Sequence, residues 1–204
     1  MPGEVSRAEN DAMEMAGVDV LLDPVFTVPA VPEAAAGVGW IRCMVPRFCE
    51  GDAHVRRRAM AERVIARIGR PRRSSSPTAA LLEAMGLDPG LECDVAAVAQ
   101  AYQPHAQVPP EADAAADRLV AACGGRTEES AARVCVLVQA HAATLALIAR
   151  LRTGDGAPAV PVTRRIAPDG REIAVDLATA PFGAGRHACP AQALALHLAG
   201  AGNR

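Results

Sequence analysis

FGAGRHAC, at residues 182–189, is the most informative segment of the sequence. Its two glycines allow a tight backbone bend that other residues adopt only with strain. Cys189 ends the segment, and Pro190 after it is typical of the first turn of a helix. At such a position the helix dipole and unpaired amide groups lower the pKa of a thiol and favour metal binding. The segment therefore predicts a thiolate ligand shielded from water by Phe182, whereas a structural cysteine after a turn would not need this combination of residues.

This segment resembles the heme-ligand signature of the cytochrome P-450 family, F-x-x-G-x-H/R-x-C. The matching residues are Phe182, Gly185, His187 and Cys189. The resemblance implies a mainly α, reduced cytochrome P-450-like helical fold, with a small β-hairpin before the heme-ligand loop. It also implies heme b as the cofactor, bound by these four residues, with Cys189 as the iron ligand. The family usually has a glycine two residues after the cysteine and an arginine in the last helix. This sequence has Ala191 and Leu196 at these positions.

A second segment similar to the family is RFCEGDAHVRRR, at residues 47–58, which contains the pattern R-F…H-x-x-x-R. One helical turn separates His54 from Arg58, so both side chains face one way. The resemblance implies that both bind the heme propionates. Arg165, in the first arm of a predicted hairpin, lies where the family often has another propionate-binding arginine. A solvated arginine-rich helix is the alternative interpretation of residues 47–58.

The third similar segment is LVQAHAATLALI, at residues 137–148. It resembles the central helix of the family, whose A-G-x-D/E-T-T motif passes over the heme. Ala142 and Ala143 stand where the family has the acid and the alcohol that deliver protons, so this pair is absent. Thr144 retains the second threonine, and His141 is a candidate substitute for the missing pair. These two are the candidate catalytic residues, although a lone histidine on an apolar helix is more often a satisfied core residue.

Local patterns predict the order of elements along a single domain, residues 1–204. Residues 1–40 are rich in proline, which predicts loop with short extended pieces. Helices are predicted from the N-cap Asp52 to residue 69, at 77–86, 94–102 and 111–123, and at 127–153, where an apolar surface nearly all round predicts a central position. A hairpin is predicted around Pro168-Asp169-Gly170, and residues 181–204 form the heme-ligand loop and the last helix. The family's E-x-x-R helix and its meander are not recognisable, which indicates a strongly shortened member.

The composition limits the range of functions. The 204 residues include 21 basic residues, all of them arginine, and the net charge is -2, which gives no reason to expect nucleic acid or a membrane surface as the main partner. The N-terminus is polar, and we recognise no apolar stretch of the roughly 18 residues that a membrane span needs, so a cytoplasmic protein is predicted. Cys43, Cys49 and His54 lack a fourth zinc ligand, and their spacing fits no common zinc template.

Three functions are compatible with these residues. The first is a heme-thiolate oxidoreductase that acts on a small molecule in secondary metabolism, by peroxide-driven oxidation or by a non-monooxygenase reaction at the iron. The second is a non-catalytic helper of another biosynthetic enzyme, and the third is a heme-based sensor. Expected partners are a small-molecule substrate and a redox or biosynthetic partner protein, and a homodimer is a candidate assembly. Four arginines form either a docking face for an acidic redox partner or only a solvated face: Arg56, Arg57, Arg63 and Arg67.

Overall fold

The computed structural model describes residues 14–72, 76–154 and 160–200, which fall into two compact units. The sheet unit comprises Met1–Pro29 and Val160–Cys189, and the helical unit comprises Ala30–Ala159 and Pro190–Arg204. Residues 1–13, 73–75, 155–159 and 201–204 of the predicted domain lie outside the described residues. That both units form a single domain of residues 1–204 stays a prediction.

The sheet unit contains a three-stranded sheet of order β1-β3-β2. Its strands are β1 (Met15–Ala16), β2 (Val162–Ile166) and β3 (Glu172–Asp176). The antiparallel pair of β2 and β3 confirms the predicted hairpin, and Gly170, with φ of 84°, supplies the positive φ that its turn requires. Strand β1, which runs parallel to β3, was not identified from the sequence. Leu21, Val175 and Leu177 are the buried core of this unit.

The helical unit contains seven α-helices among the described residues. They are α1 (Gly37–Met44), α2 (Gly51–Ile68), α3 (Pro77–Ala84), α4 (Glu92–Ala101), α5 (Pro110–Ala122), α6 (Glu128–Thr153) and α7 (Gln192–Leu198). Their core is aliphatic, as expected for a chain that is only 2% aromatic. Its largest fully buried side chains are Ile41, Leu81, Leu82, Leu119, Leu137, Val38, Val45, Val95, Val98, Val134 and Val138.

Helix α6 is the centre of the helical unit, as its apolar surface predicts, because it packs against all six other helices. The Thr127 hydroxyl accepts the Ser130 N–H at 3.1 Å at its start, and Gly154, with φ of 70°, ends it in the left-handed conformation. By length and composition alone α6 could cross a membrane, contrary to the expectation from the sequence. A core helix passes the same test, so the cytoplasmic location stays a prediction.

Helix α1 lies partly within residues 1–40, so the prediction of loop up to residue 40 was wrong. Its first amides are capped by α5: the Val38 N–H donates to Asp113 at 2.8 Å, and the Gly37 N–H donates to Asp117 at 3.2 Å. The bond from Gly37 is the largest cause that lowers the pKa of Asp117. A side chain on Gly37 would overlap the Asp113 carboxylate, so this close approach requires glycine.

The start of α2 differs from the prediction in its capping residue. Glu50 is the N-cap and makes no side-chain cap hydrogen bond, so Asp52 lies in the first turn instead. A carboxylate there still interacts favourably with the helix dipole. The predicted end is confirmed, because Gly69, with φ of 62°, follows the last helical residue.

Arg42, a buried residue of α1, joins this helix to the end of α4. Its guanidinium donates to the carbonyl oxygens of Tyr102 at 3.1 Å and of Gln103 at 2.6 Å, and also to that of Ala101. Burial lowers the pKa of Arg42, with the nearby Tyr102 and Asp113 opposing the shift. The side chain therefore supplies the donors that carbonyls at a helix C-terminus otherwise lack.

An ion-pair network joins α2 to the start of α6. The Glu128 carboxylate accepts from Arg56 Nε and Nη2, both at 2.9 Å, and from Arg57 Nε at 3.0 Å. These arginines, with Arg56 the larger cause, lower the pKa of Glu128 from 4.5 to about 2. Because the pKa is lower in the folded state, the network stabilises the fold above the unfolded pKa, and this stabilisation is lost as the pH falls from 4.5 towards about 2.

We therefore expect Glu128→Gln to flatten the acid side of the stability profile. Between about pH 6 and about pH 3, the free energy of unfolding should fall more in the unchanged protein than in the variant. Urea unfolding at both pH values measures the difference. Glu129→Gln is the matched control, because the Glu129 side chain is 63% exposed and its ion pair is with Arg67, whose side chain is 70% exposed. Equal acid sensitivity of the unchanged protein and Glu128→Gln would contradict the expectation.

Candidate functional site

Residues 182–189 form a loop closed by its own backbone. The Cys189 N–H donates to the Phe182 carbonyl oxygen at 2.8 Å, and the Ala188 N–H donates to that of Gly185 at 3.1 Å. Gly183 and Gly185 have φ of 71° and 64°, the region that glycine adopts without strain. The predicted tight bend is thus present, and Cys189 is outside any disulfide. Cys189 is exposed, however, so the predicted shielding of its thiol from water by Phe182 is wrong for this structure.

The position of Cys189 relative to α7 differs from the prediction. Helix α7 begins at Gln192 with Ala191 as its N-cap, so Pro190 precedes the helix instead of lying in its first turn. The helix is also only seven residues long. Its dipole therefore contributes less to lowering the pKa of the thiol than the sequence argument assumed, because the effect falls off beyond the first turn.

The loop is anchored to the N-terminal part of the sheet unit. Arg186 Nη2 donates to the carbonyl oxygen of Phe26 at 2.6 Å. Gly185 lies so close to Leu21 that a Cβ at this position would overlap the Leu21 carbonyl oxygen. Among the residues of the signature, Gly185 thus has two independent reasons to be glycine, its positive φ and this contact.

Arg165 lies in β2 opposite Ile173 and is 6% exposed. Its Nη1 donates to the carbonyl oxygen of Arg164 at 2.8 Å and to the Thr163 hydroxyl at 3.3 Å. Its predicted role in binding a propionate stays a prediction.

His54 and Arg58 lie one turn apart on α2, as the sequence predicts. His54 is 6% exposed, and Arg58 Nε donates to Glu62 at 2.7 Å. Arg58 is thus in an i,i+4 ion pair on its own helix, a kind of pair that is worth only a fraction of a kcal/mol. The hypothesis that His54 and Arg58 bind the heme propionates stays a prediction.

His141 and Thr144 lie one turn apart on α6. His141 Nδ1 is 2.8 Å from the Thr78 hydroxyl oxygen. Burial lowers the pKa of His141, and the Glu92 carboxylate opposes part of this shift. Thr144 is 0% exposed, and its hydroxyl has no hydrogen-bond partner among the described residues. An unsatisfied buried hydroxyl is uncommon in proteins.

The predicted site residues thus form three local groups. The residues of loop 182–189 and Arg165 belong to the sheet unit, whereas His54 with Arg58, and His141 with Thr144, belong to the helical unit. That these groups share one ligand stays a prediction. Sequence reasoning missed Thr78, the partner of His141, because contacts between α3 and α6 have no sequence pattern.

The other sequence hypotheses concern cysteines and arginines. Cys43 donates to the Pro32 carbonyl oxygen at 2.9 Å, and no cluster of three metal-ligating residues occurs within 14–72, 76–154 and 160–200. Three of the four arginines of the predicted docking face pair with glutamates of this chain, which reduces their net charge: Arg56, Arg57 and Arg67. These pairs favour the solvated interpretation of that face.

Comparison with solved structures identifies the architecture. The chain matches a structure titled "Crystal Structure of P450BioI in complex with hexadec-9Z-enoic acid ligated Acyl Carrier Protein", with a TM-score of 0.67. The fold is cytochrome P450-like. The match covers 89% of this chain and 80% of that chain, at 14% sequence identity, so the likeness concerns the P450 fold alone. No family model and no curated protein matches the sequence.

This P450-like fold confirms the predicted fold class, which is mainly helical with a small sheet. The hairpin of β2 and β3 precedes loop 182–189, as the resemblance implies. The elements that carry the similar sequence segments are therefore present in the predicted order: α2, α6, the hairpin and the loop.

Proposed function

We propose that this chain is a heme protein in which the Cys189 thiolate binds the iron. The observation that carries the proposal is loop 182–189, which presents an exposed thiol on a P450-like fold. The loop has the residues of the heme-ligand signature, and its two glycines have the positive φ that such a bend needs. A buried structural cysteine, the alternative considered from the sequence, would not be exposed to solvent.

Two residues of the sheet unit fit a heme. Cys189 is accessible, as an iron ligand must be, and is not held in a disulfide. Arg165 is a buried cation, which suits an anionic propionate. When bound, a thiolate-ligated heme supplies iron whose reactivity is increased by electron density from the sulfur.

The chain's own residues limit the class of reaction. Ala142 and Ala143 of α6 stand where the family has an acid and an alcohol that deliver protons. His141 and Thr144 are the candidates that remain for this role. We infer a heme-thiolate oxidoreductase that acts on a small molecule, by peroxide-driven oxidation or by a non-monooxygenase reaction. A helper of another biosynthetic enzyme and a heme-based sensor remain the alternatives. The P450BioI structure contains a carrier protein, so a protein partner is also a candidate here.

The deciding experiment is an absorption spectrum of the purified protein, reduced with dithionite and exposed to carbon monoxide. A strongly red-shifted Soret band would support thiolate-bound heme, and peroxide-supported substrate screening would follow. Absence of heme after reconstitution would overturn the proposal and favour the helper. Bound heme with reversible ligand binding and no turnover would favour the sensor.

We expect His54→Ala and Arg58→Ala to weaken heme retention without changing the iron ligand. Each charge-assisted hydrogen bond to a propionate contributes about 1.5–3 kcal/mol, so heme should dissociate roughly tenfold faster or more. Transfer of heme to apomyoglobin measures the rate, and the carbon monoxide spectrum checks the ligand. Arg67→Ala is the control, because Arg67 lies on the same helix, is 70% exposed and pairs with Glu129. Unchanged dissociation in both variants would refute the propionate roles.

A further inference from the structure

The hydrogen bond between Thr78 and His141 has a direction that the local structure determines. Thr78 is 1% exposed, so its hydroxyl proton needs an acceptor within the protein. A helical threonine often donates to the carbonyl four residues earlier, but α3 begins at Pro77 and provides no such helical carbonyl. Among the described residues, His141 Nδ1, at 2.8 Å, is the acceptor within reach. Thr78 therefore donates, and Nδ1 carries no proton.

The reverse arrangement is less favourable. If Nδ1 carried the proton and donated it to Thr78, the Thr78 hydroxyl proton would be buried without an acceptor. The protonated imidazolium has the same difficulty, because it carries protons on both nitrogens. Burial disfavours the imidazolium as well. The Glu92 carboxylate, which would favour it, accepts a hydrogen bond from the Ser76 hydroxyl.

The second ring nitrogen of His141 has a different environment. Nε2 makes no hydrogen bond among the described residues, and it does not belong to the buried polar atoms that lack a partner. It is therefore open to solvent or to a ligand, although the residue as a whole is half-buried. The Thr144 hydroxyl, unsatisfied and fully buried, lies one turn further along the same helix. Residues three apart on a helix occupy neighbouring positions on its surface.

We propose that Thr78 is a positioning residue that holds His141 as a neutral imidazole with its proton on Nε2, so that α6 presents an accessible N–H donor one helical turn before Thr144. Any role of this arrangement in a heme reaction rests on the proposed function. The hydrogen-bond arrangement itself needs no heme.

The test is nitrogen NMR of the chain labelled with ¹⁵N-histidine, at a pH where His141 is neutral. His141→Asn assigns the His141 signals among those of the five histidines. We expect a protonated Nε2 and an unprotonated Nδ1 that accepts a hydrogen bond. Thr78→Val, which has the same shape without the hydroxyl, should shift the Nδ1 signal to that of an unbonded nitrogen or add an Nδ1–H population. Thr78→Ser should restore the original spectrum.

Two results would overturn the proposal. One is a protonated Nδ1 in the unchanged protein, which needs no variant to be folded. The other is a folded Thr78→Val variant whose His141 signals equal those of the unchanged protein. Both are measured on heme-free chain, so they are independent of the carbon monoxide spectrum. Failure of heme binding with a protonated Nε2 would therefore refute the proposed function and leave the role of Thr78 intact.

Discussion

Replacing Cys189 by serine should abolish the thiolate-type spectrum of the reduced carbon monoxide complex completely. A serine hydroxyl stays protonated near neutral pH, whereas a thiol is readily converted to the thiolate that binds iron. The loop itself should survive the change, because the bond from residue 189 to Phe182 is made by backbone atoms. The loss of signal would then report the ligand and not the fold. The measurement is the spectrum described for the unchanged protein, recorded at equal heme loading.

Cys93→Ser is the matched control for this prediction. Cys93 and Cys189 are the two cysteines, among the described residues, that are exposed. Substituting Cys93 should leave the spectrum unchanged, because it lies in α4 and outside the signature. If Cys189→Ser retained the spectrum of the unchanged protein, the assignment of the iron ligand would be wrong. If Cys93→Ser lost it instead, the ligand would be Cys93.

The helices that the sequence predicts well are those whose ends and faces are determined locally. Helix α6 has its cap at Thr127, its end at Gly154 and a continuous apolar surface, and each of these is a feature of the segment itself. The hairpin likewise follows from two extended arms around a turn sequence. These elements place the signature loop after the hairpin, so the order of the fold was predictable.

Helix α1 could not be predicted in the same way. Its segment contains Gly37 and Gly39, which disfavour a helix, and it has no capping side chain of its own. Its first amides are satisfied by Asp113 and Asp117, which are 75 and 80 residues distant along the chain. The partners of Arg42 are also distant in sequence. Hydrogen bonds between residues this far apart leave no periodic pattern in the sequence from which a helix could be predicted.

The candidate site shows the same division. Cys189 and the glycines of its loop form a short signature, so they were identified together. The hydrogen bond of His141 with Thr78 joins two helices and was missed. Pro190 was assigned to the first turn of α7 because proline favours that position, but the chain continues through Ala191 before the helix begins. A local preference therefore fixed the type of element and not its first residue.

Gly185→Ala should destabilise the loop more strongly than Gly183→Ala. Both glycines have positive φ, which costs an alanine about 1–2 kcal/mol. At Gly185 the added methyl would also overlap the Leu21 carbonyl oxygen, and forcing a group into an occupied space typically costs a further ~1–3 kcal/mol. At Gly183 the nearest atoms to a Cβ are 3.8 Å away, an ordinary contact. We expect a loss of about 3 kcal/mol for Gly185→Ala, and about half of it for Gly183→Ala.

Urea unfolding measures these losses, and heme titration of both variants relates them to the site. If Gly185→Ala is relieved by movement of the loop, the bond from Arg186 to Phe26 should weaken, and heme affinity should fall together with stability. Equal losses of stability in the two variants would show that φ alone matters and that the contact with Leu21 is adaptable. A large loss of stability with unchanged heme affinity would mean that the loop does not form the heme site. The pair of alanine variants thus separates the two requirements for glycine and tests the site without removing its proposed ligand.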